Sequence, residues 1–313
     1  MKFSLNNCDG NIHTGYGYAT HKIIHNVGKT KHSLLIEREA PIEVTFGHPQ
    51  FYKFHGKNSY KIGYTAWEST ELKPKWEEYM SHVDEIWTPN NFCKEVFEAK
   101  TGKPTYVFPH GIDSTWNPIK RKVEDKVKFL HMGYPAYRKN AHDTVNAFLE
   151  LYAGSKDHEL TIKSYSNGDL AINEPNIKII NDTLLYTELA DLMGQHHVML
   201  YPSWGEGFGL IPLQALGTGL PVVMTDGWCD YKMHCPELVI DSTLAYNPWQ
   251  DYHPGKMFKP DYDHFVSLIK YSADNVEEVV EKQYNRAYDV HKNWSWEAVV
   301  TNHLDSVEAR LMI

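Results

Sequence analysis

Cysteine is scarce in this sequence. The 313 residues contain four, Cys8, Cys93, Cys229 and Cys235. They are too few and too scattered for a disulfide framework of the kind that holds small secreted domains together. Cys229 and Cys235 flank His234, but this spacing matches no zinc template. We therefore expect the cysteines to be reduced and chemically inert.

Long apolar runs are also absent. No stretch of the sequence approaches the roughly 20 apolar residues that span a bilayer. The first ten residues lack the apolar core of a signal peptide. Hydrophobic residues make up 42% of the chain and charged residues 23%, which is typical of globular domains with a buried core. A cytoplasmic, soluble protein is the expectation.

Positive charge is in deficit. The chain has 31 Lys and Arg against 40 Asp and Glu, which gives a formal net charge of −9. Non-specific binding to nucleic acid needs clustered Lys and Arg, so this balance disfavours it. A local basic groove is compatible with the same balance.

Short β-rich runs alternate with helical stretches, which is the signature of an α/β protein with parallel sheets. The pattern begins with a strand at Lys2–Asn6, pauses after Gly111 and begins again with a strand at residues 128–132. Residues 118–128 between the two parts are charged and contain no aromatic side chain. This composition predicts a solvated linker between two domains.

The most informative segment is residues 201–226, YPSWGEGFGLIPLQALGTGLPVVMTD. A strand ends near Pro202, a glycine turn follows, and a helix begins near Leu210. Backbone N–H groups at a helix start suit a phosphate or a sugar hydroxyl, and Gly207 and Gly209 allow a ligand to approach the backbone closely. A plain strand-to-helix connection explains the glycines equally well.

This segment resembles the signature of the family 4 retaining glycosyltransferases, which have the GT-B fold. The family pattern is a Glu, then Gly-Phe-Gly-Leu, then a second Glu eight positions after the first. The matching residues here are Glu206, Gly207, Phe208, Gly209 and Leu210. Gln214 stands in place of the second Glu.

The resemblance implies a role for each matched position. Glu206 would contact the donor sugar, and the amides of the glycine turn would contact the sugar and the diphosphate. Gln214 would take the place of the Glu that binds the ribose hydroxyls, where its amide oxygen accepts a hydrogen bond without the help of charge.

Residues 129–148, FLHMGYPAYRKNAHDTVNAF, resemble the family's strand, glycine, basic pair and helix. The family neutralises the donor diphosphate with an Arg soon after the glycine and a Lys a few residues later. Lys139 matches the Lys, Tyr134 stands at the Arg position, and Arg138 is the candidate to replace that Arg. Fixed positive charge here would stabilise the negative charge that grows as the sugar bond breaks. Without the resemblance, a basic pair on a loop is more simply a solvated surface feature.

The N-terminal half resembles the family more loosely. Residues 14–19, TGYGYA, are similar to the glycine-rich loop that faces the donor phosphates, which makes Gly15 and Gly17 candidate donor contacts. Trp67 and Glu68 stand where many members carry a His near the reacting centre. Together with His110 of the PHGID stretch, they are the candidates for the acceptor side.

The predicted architecture is α/β with the GT-B fold, in which two Rossmann-like domains face each other across a cleft. An acceptor domain would span residues 1–118 and a nucleotide-sugar donor domain residues 119–290. The segment SWEAVV around Trp296 resembles the family's last helix, so residues 291–313 would cross back to the first domain.

The predicted activity is that of a retaining hexosyl- or pentosyltransferase. Its donor would be a nucleotide diphosphate sugar, with UDP- or GDP-sugars expected, and it would need neither a metal nor another cofactor. Asp261 and Asp263 form an Asp-x-Asp far from both phosphate motifs, which we interpret as chance. The acceptor stays open among a glycan, a lipid-linked sugar, a small metabolite and a modified nucleic-acid base.

Three alternative functions remain at this point. A nicotinamide-dependent dehydrogenase is suggested by Gly15-x-Gly17 before a helix and by Glu37 after the next strand, although Thr20 occupies the third glycine position. A sugar-nucleotide epimerase would share the two-domain fold. A non-catalytic sugar-nucleotide binding protein is suggested by Gln214 and Tyr134, where charged family residues are missing.

Overall fold

The computed structural model describes residues 1–133, 136–164 and 172–311, so Tyr134 lies outside the described residues. The chain forms two compact units. The first unit consists of Met1–Gly111, Tyr246–Lys256 and Asn293–Ile313. The second unit consists of Ile112–Ala245 and Met257–Lys292.

The first unit is built on a parallel sheet with the strand order β2-β1-β3-β4-β5-β6 in the described residues. Its strands are β1 (Lys2–Asn6), β2 (Ser33–Ile36), β3 (Ile42–Phe46), β4 (Tyr60–Tyr64), β5 (Glu85–Thr88) and β6 (Thr105–Val107). Every residue of β3 and β5 is buried, as expected of strands that helices cover on both faces.

The second unit repeats this design with the strand order β12-β11-β10-β7-β8-β9, again parallel in the described residues. Its strands are β7 (Val127–Met132), β8 (His158–Lys163), β9 (Ile177–Ile180), β10 (Val198–Tyr201), β11 (Val222–Thr225) and β12 (Val239–Ile240). A separate two-stranded sheet pairs β13 (Ser242–Tyr246) with β14 (Lys256–Pro260). The predicted α/β class with two parallel sheets is confirmed.

Helices connect the strands. The α-helices of the described residues are α1 (Gly15–Val27), α2 (Trp76–Met80), α3 (Asn91–Thr101), α4 (Ala141–Tyr152), α5 (Tyr186–Gly194), α6 (Leu210–Gly217), α7 (Tyr262–Asp274), α8 (Val276–Trp294) and α9 (Trp296–Leu311). Short 3-10 helices lie at Pro49–Phe51, Ser114–Trp116, Tyr137–Lys139, Lys232–His234 and Pro236–Leu238. None of the described helices combines the length and the apolar character that a membrane crossing requires.

The ends of α3 show how local sequence sets these helices. The side chain of Asn90 accepts a hydrogen bond from the Cys93 amide at 2.8 Å, and Gly102 ends the helix with a φ of 64°. A polar cap at the start and a left-handed glycine after the end satisfy backbone groups that the helix leaves without partners. Both ends of α3 are therefore set by residues next to the helix.

The C-terminal helix α9 belongs to the first unit. Trp296 is 1% exposed, and the ring of His303 stacks on Phe108 with 4.1 Å between ring centroids. Arg310 binds both carboxylate oxygens of Glu85, at 2.5 and 3.0 Å. These contacts fasten the last helix to the β5–β6 side of the first sheet.

The composition of residues 118–128 predicts a solvated linker. The structure differs, because part of this segment is buried. Arg121 is 8% exposed, and its guanidinium donates to the carbonyl oxygens of Met193, His196 and Thr218 at 2.8–3.0 Å. Burial lowers the pKa of Arg121 to about 9, so it is still charged at neutral pH. One of its partners, the Met193 carbonyl, lies in the last turn of α5, where helix carbonyls lack partners further along the helix.

Two consecutive helices, α7 and α8, precede the C-terminal helix. α7 ends at Asp274 and α8 begins at Val276. Asp261, the first residue of the Asp-x-Asp, is the N-cap of α7 and accepts a hydrogen bond from the His264 amide at 2.9 Å. That aspartate therefore has a structural use in the fold.

Candidate active site

The glycine turn of the second unit connects β10 to α6. Gly209 has a φ of +84°, which other residues adopt only with strain. A Cβ atom at this position would lie 2.5 Å from the Tyr231 hydroxyl and 2.7 Å from the Trp228 ring. The Tyr231 hydroxyl also donates a hydrogen bond to the Gly209 carbonyl. The turn is therefore packed from behind by two aromatic side chains and requires glycine.

The basic pair lies on the loop that follows β7, the neighbour of β10 in the sheet. Several hydrogen bonds join the loops after these strands. The Trp204 amide donates to the Arg138 carbonyl at 2.8 Å, and the Arg138 guanidinium donates to the Gly205 carbonyl at 2.8 Å. The carboxyl ends of adjacent parallel strands thus bring together two motifs that are more than 60 residues apart in the sequence.

Glu206 lies at the centre of this arrangement. Its Oε1 atom is 2.6 Å from Lys139 Nζ and 3.0 Å from Arg138 Nη1. The same oxygen accepts hydrogen bonds from the hydroxyls of Ser203 at 2.7 Å and Tyr201 at 3.1 Å. The structure therefore brings the three predicted catalytic residues together around one carboxylate oxygen.

The electrostatics of Glu206 follow from these contacts. Burial alone would raise the pKa of its carboxyl, because a charged group loses hydration in the interior. Lys139 and Arg138, together with the hydrogen bonds from Lys139 and Ser203, more than offset burial and lower the pKa from 4.5 to about 2. Glu206 is ionised at every physiological pH.

The side chains of Arg138, Lys139 and Glu206 are largely but not fully buried. The Arg138 side chain is 18% exposed, the Lys139 side chain 11% and the Glu206 side chain 6%. A charge inside protein interacts more strongly than the same charge in water, because less solvent screens it. The charges of Arg138, Lys139 and Glu206 are therefore less screened than those of exposed side chains.

Tyr201 and Ser203 are site residues that the sequence analysis missed. Besides its bond to Glu206, the Tyr201 hydroxyl accepts a hydrogen bond from Lys139 Nζ at 2.6 Å, so it bridges the two charged groups. Burial raises the pKa of Tyr201 well above its ordinary value, so the hydroxyl keeps its proton. Both residues are part of the segment that carries the glycine signature, but that signature consists of glycines and carboxylates and does not include them.

The other predicted donor residues also lie around this turn. Phe208 is 4% exposed and meets the Tyr231 ring edge-on, with 5.6 Å between ring centroids. Gly207 is in the turn itself, Leu210 is the first residue of α6, and Gln214 is buried on that helix at 4% exposure. Their contacts with a donor stay predictions.

Asn140 precedes α4 but does not cap the helix with its side chain. It lies at the N-cap position with a φ of 61°, and its side-chain nitrogen donates to Asp143 Oδ2 at 2.9 Å. The left-handed conformation turns the chain sharply after Lys139. Asparagine is one of the few residues other than glycine that adopts it readily.

The glycine pair of the first unit has a different setting. Gly15 and Gly17 lie in the first turn of α1 and not in the loop that the sequence predicts. The Gly17 amide donates to the capping hydroxyl of Thr14 at 2.9 Å, and a Cβ atom at Gly17 would lie 2.0 Å from the Asn11 carbonyl oxygen. Close packing within the turn therefore requires Gly17. A donor contact at either glycine stays a prediction.

The three acceptor-side candidates belong to the first unit and differ in their surroundings. Trp67 is 1% exposed and packs on Trp76, with 4.6 Å between ring centroids. His110 is 7% exposed, and burial lowers its pKa to about 3, so it is neutral. Glu68 is 18% exposed and lies 3.7 Å from His253 Nδ1. Of the three, Glu68 has the most accessible side chain.

A family model and a viral protein are similar in sequence to the part of the chain that contains this site. The family described as "Family 4 Glycosyltransferase in conflict systems" matches residues 90–227. This range contains both the basic pair and the glycine turn. The viral protein "Putative glycosyltransferase 45" of Sulfolobus islandicus filamentous virus (isolate Iceland/Hveragerdi) is 26% identical over 221 residues, which cover 66% of this chain and 61% of that relative. The match thus spans less than two thirds of the viral protein.

The chain is similar to the family 4 glycosyltransferases over somewhat less than half of its length. Solved structures agree on its fold. Sucrose-phosphate synthase from Thermosynechococcus elongatus superposes with a TM-score of 0.70 at 11% identity, over 99% of each chain. WaaG, a glycosyltransferase of lipopolysaccharide biosynthesis, gives 0.69 at 12% identity, over 97% of this chain and 98% of that one. HepE of Anabaena, solved with UDP and glucose, gives 0.68 at 8% identity, over 98% and 99%. These likenesses confirm the GT-B fold.

Proposed function

We propose that the chain is a family 4 glycosyltransferase, which moves a sugar from a nucleotide diphosphate donor to an acceptor with retention at the anomeric carbon. The observation that carries the proposal is the meeting of Arg138, Lys139 and Glu206 beside the glycine turn before α6. Two cations and a helix start at one point form a setting for the diphosphate of a leaving group.

The proposed reaction breaks the bond between the anomeric carbon and the phosphate oxygen. The electron pair of that bond leaves with the diphosphate, whose growing negative charge Arg138 and Lys139 stabilise. The acceptor oxygen bonds to the same face of the carbon, and its proton passes to the departing phosphate. Glu206 faces the positive charge that develops on the sugar ring.

A uridine diphosphate sugar is the first donor to test. HepE is solved with UDP and glucose, and the pneumococcal O-GlcNAc transferase GtfA, a further fold neighbour, is solved with UDP and GlcNAc. We also propose that the two cationic side chains replace a metal ion. Activity should then persist in excess EDTA, whereas loss of activity restored by Mg²⁺ or Mn²⁺ would contradict this part.

The experiment is a screen of UDP-, GDP- and ADP-sugars by thermal shift, followed by incubation with the best donor. Glycans, lipid-linked sugars, small metabolites and nucleic acid with modified bases are then added as acceptors. Release of nucleoside diphosphate that depends on an acceptor supports transfer. A changed sugar without an acceptor would indicate an epimerase, and binding without any nucleotide release would indicate a binding protein. Either result would contradict the proposal.

A further inference from the structure

Arg138 and Lys139 already bind a carboxylate of the same chain, that of Glu206. Lys139 Nζ and Arg138 Nη1 both contact Oε1 of Glu206, at 2.6 and 3.0 Å. The carboxylate is fixed there by the hydroxyls of Ser203 and Tyr201. A phosphate oxygen that binds the same two donors would therefore lie close to the fixed negative charge of Glu206.

This resident charge changes what the pair can bind. Arg138 and Lys139 contribute two positive charges and Glu206 one negative charge, which leaves one net positive charge on these three side chains. An anion next to them is attracted by the cations and repelled by the carboxylate. The repulsion is strong because Glu206 is 5% exposed and little water screens it.

The penalty grows with the charge of the ligand. In a nucleotide sugar the terminal phosphate is esterified, so the diphosphate carries two negative charges. The nucleoside diphosphate left after transfer has a free terminal phosphate and gains most of a third charge at neutral pH, since the second pKa of a phosphate monoester is about 6. A fixed carboxylate therefore acts more strongly against the product than against the donor.

We propose that Glu206 lowers the affinity of Arg138 and Lys139 for free phosphate anions, so that the protein favours the nucleotide sugar over the nucleoside diphosphate and releases the latter after transfer. The inference rests on the proposed function and adds a property to the same site. Glu206 acts here by its charge, whichever sugar the donor carries.

The test compares the protein with its Glu206→Gln variant, which keeps the shape of the side chain and removes its charge. Inorganic pyrophosphate, UDP, GDP and ADP are titrated by calorimetry at fixed ionic strength. We expect the variant to bind pyrophosphate and the preferred nucleotide at least about tenfold more tightly, which corresponds to about 1.4 kcal/mol. Stopped-flow measurement should show a slower release of that nucleotide.

Glu237→Gln is the matched control. Glu237 binds Arg286 through both carboxylate oxygens at 2.7 Å in the same unit. This variant makes the same change in net charge, so it should leave the affinity for every probe unchanged. Glu206→Ala removes the same carboxylate in a different way and must shift affinity in the same direction as Glu206→Gln.

The outcomes separate the inference from the function on which it rests. The inference alone is overturned if the unchanged protein binds a nucleoside diphosphate and a folded Glu206→Gln protein binds it equally or more weakly. Tighter binding by the Glu237→Gln protein of similar size also overturns it, because the effect would then come from net charge. If neither the unchanged protein nor the Glu206 variants bind any probe, both the inference and the proposed function fail.

Discussion

Two glycine-containing connections lead from a strand into a helix, and they differ in what surrounds them. The first precedes α1 and is held by acidic and neutral groups, since Asp9 accepts hydrogen bonds from the Asn11 amide and the Thr14 hydroxyl. The second precedes α6 and lies beside Arg138 and Lys139. Residues 10–15 of the first are exposed, whereas the second is mostly buried.

The two turns share a glycine pattern before a helix but differ in the charge around it. Both helix starts offer amides and a positive dipole end. At the first, a hydroxyl already occupies the Gly17 amide, and the nearby carboxylate of Asp9 opposes an anion. At the second, the loop after the neighbouring strand β7 supplies the cations Arg138 and Lys139. Charge brought by the tertiary fold distinguishes the two turns.

Loss of a cation at the second turn should have the largest effect. We expect Lys139→Met to lower donor turnover by about two to three orders of magnitude, because a fixed charge next to the leaving group stabilises the transition state. The rate of nucleotide release from the best donor is the measurement. Lys270→Met, in an exposed pair with Asp274 on α7, is the charge-matched control and should stay within about twofold. Similar losses in both variants would contradict the special role of the second turn.

Alanine substitutions sharpen the comparison of the two turns. Gly209→Ala forces a left-handed backbone and a contact with Tyr231, so we expect it to lower the free energy of unfolding by about 2–4 kcal/mol. A Cβ atom at Gly15 meets no atom within 4 Å. Gly15→Ala should therefore change stability by at most about 1 kcal/mol, with a stabilising sign. Urea unfolding of both variants is the check, and a reversed order would refute the steric account.

Tyr201→Phe should have a smaller effect on catalysis. It removes the hydroxyl that bridges Lys139 and Glu206, and we expect about a tenfold loss of donor turnover. Tyr262→Phe is the control, because its hydroxyl contacts Glu150 on the exposed surface of the same unit. Full turnover in Tyr201→Phe would show that the bridge does not position the charged groups.

The smallest predicted effect concerns acid stability. The pKa of Glu206 is lowered from 4.5 to about 2, so its ionised form stabilises the folded state above pH 4.5, and this contribution is lost as the pH falls toward 2. The difference in unfolding free energy between the protein and Glu206→Gln should be constant above pH 5 and shrink below 4.5. Urea titrations across this range measure it. A difference that grows on acidification would have the wrong sign for the ion pair.

Sequence patterns predicted the scaffold well where local signals agree. The strand predicted at Lys2–Asn6 is β1, and the strand predicted at residues 128–132 is β7 without its first residue. The start of α6 after a glycine turn was equally readable. In these places the chemistry of a few neighbouring residues decides the structure.

The sequence could not show how distant groups share their hydrogen bonds. The charged run around Arg121 predicts a surface residue, but its guanidinium is buried against carbonyls in and after α5. The sequence likewise predicted Arg138, Lys139 and Glu206 as separate donor contacts and did not reveal that they bind one another. Such pairings depend on which strands are neighbours in the sheet, which no single segment encodes.

The most direct test of the central claim is nucleotide affinity, measured by calorimetry with the best nucleoside diphosphate. The account predicts that Arg138→Met combined with Lys139→Met weakens binding by at least about 100-fold, because both charge-assisted contacts are lost. Asp9→Asn, at the first turn, should change affinity by less than about threefold, as a screened, exposed charge does. Undiminished binding by the double variant would contradict the claim that these two cations grip the diphosphate.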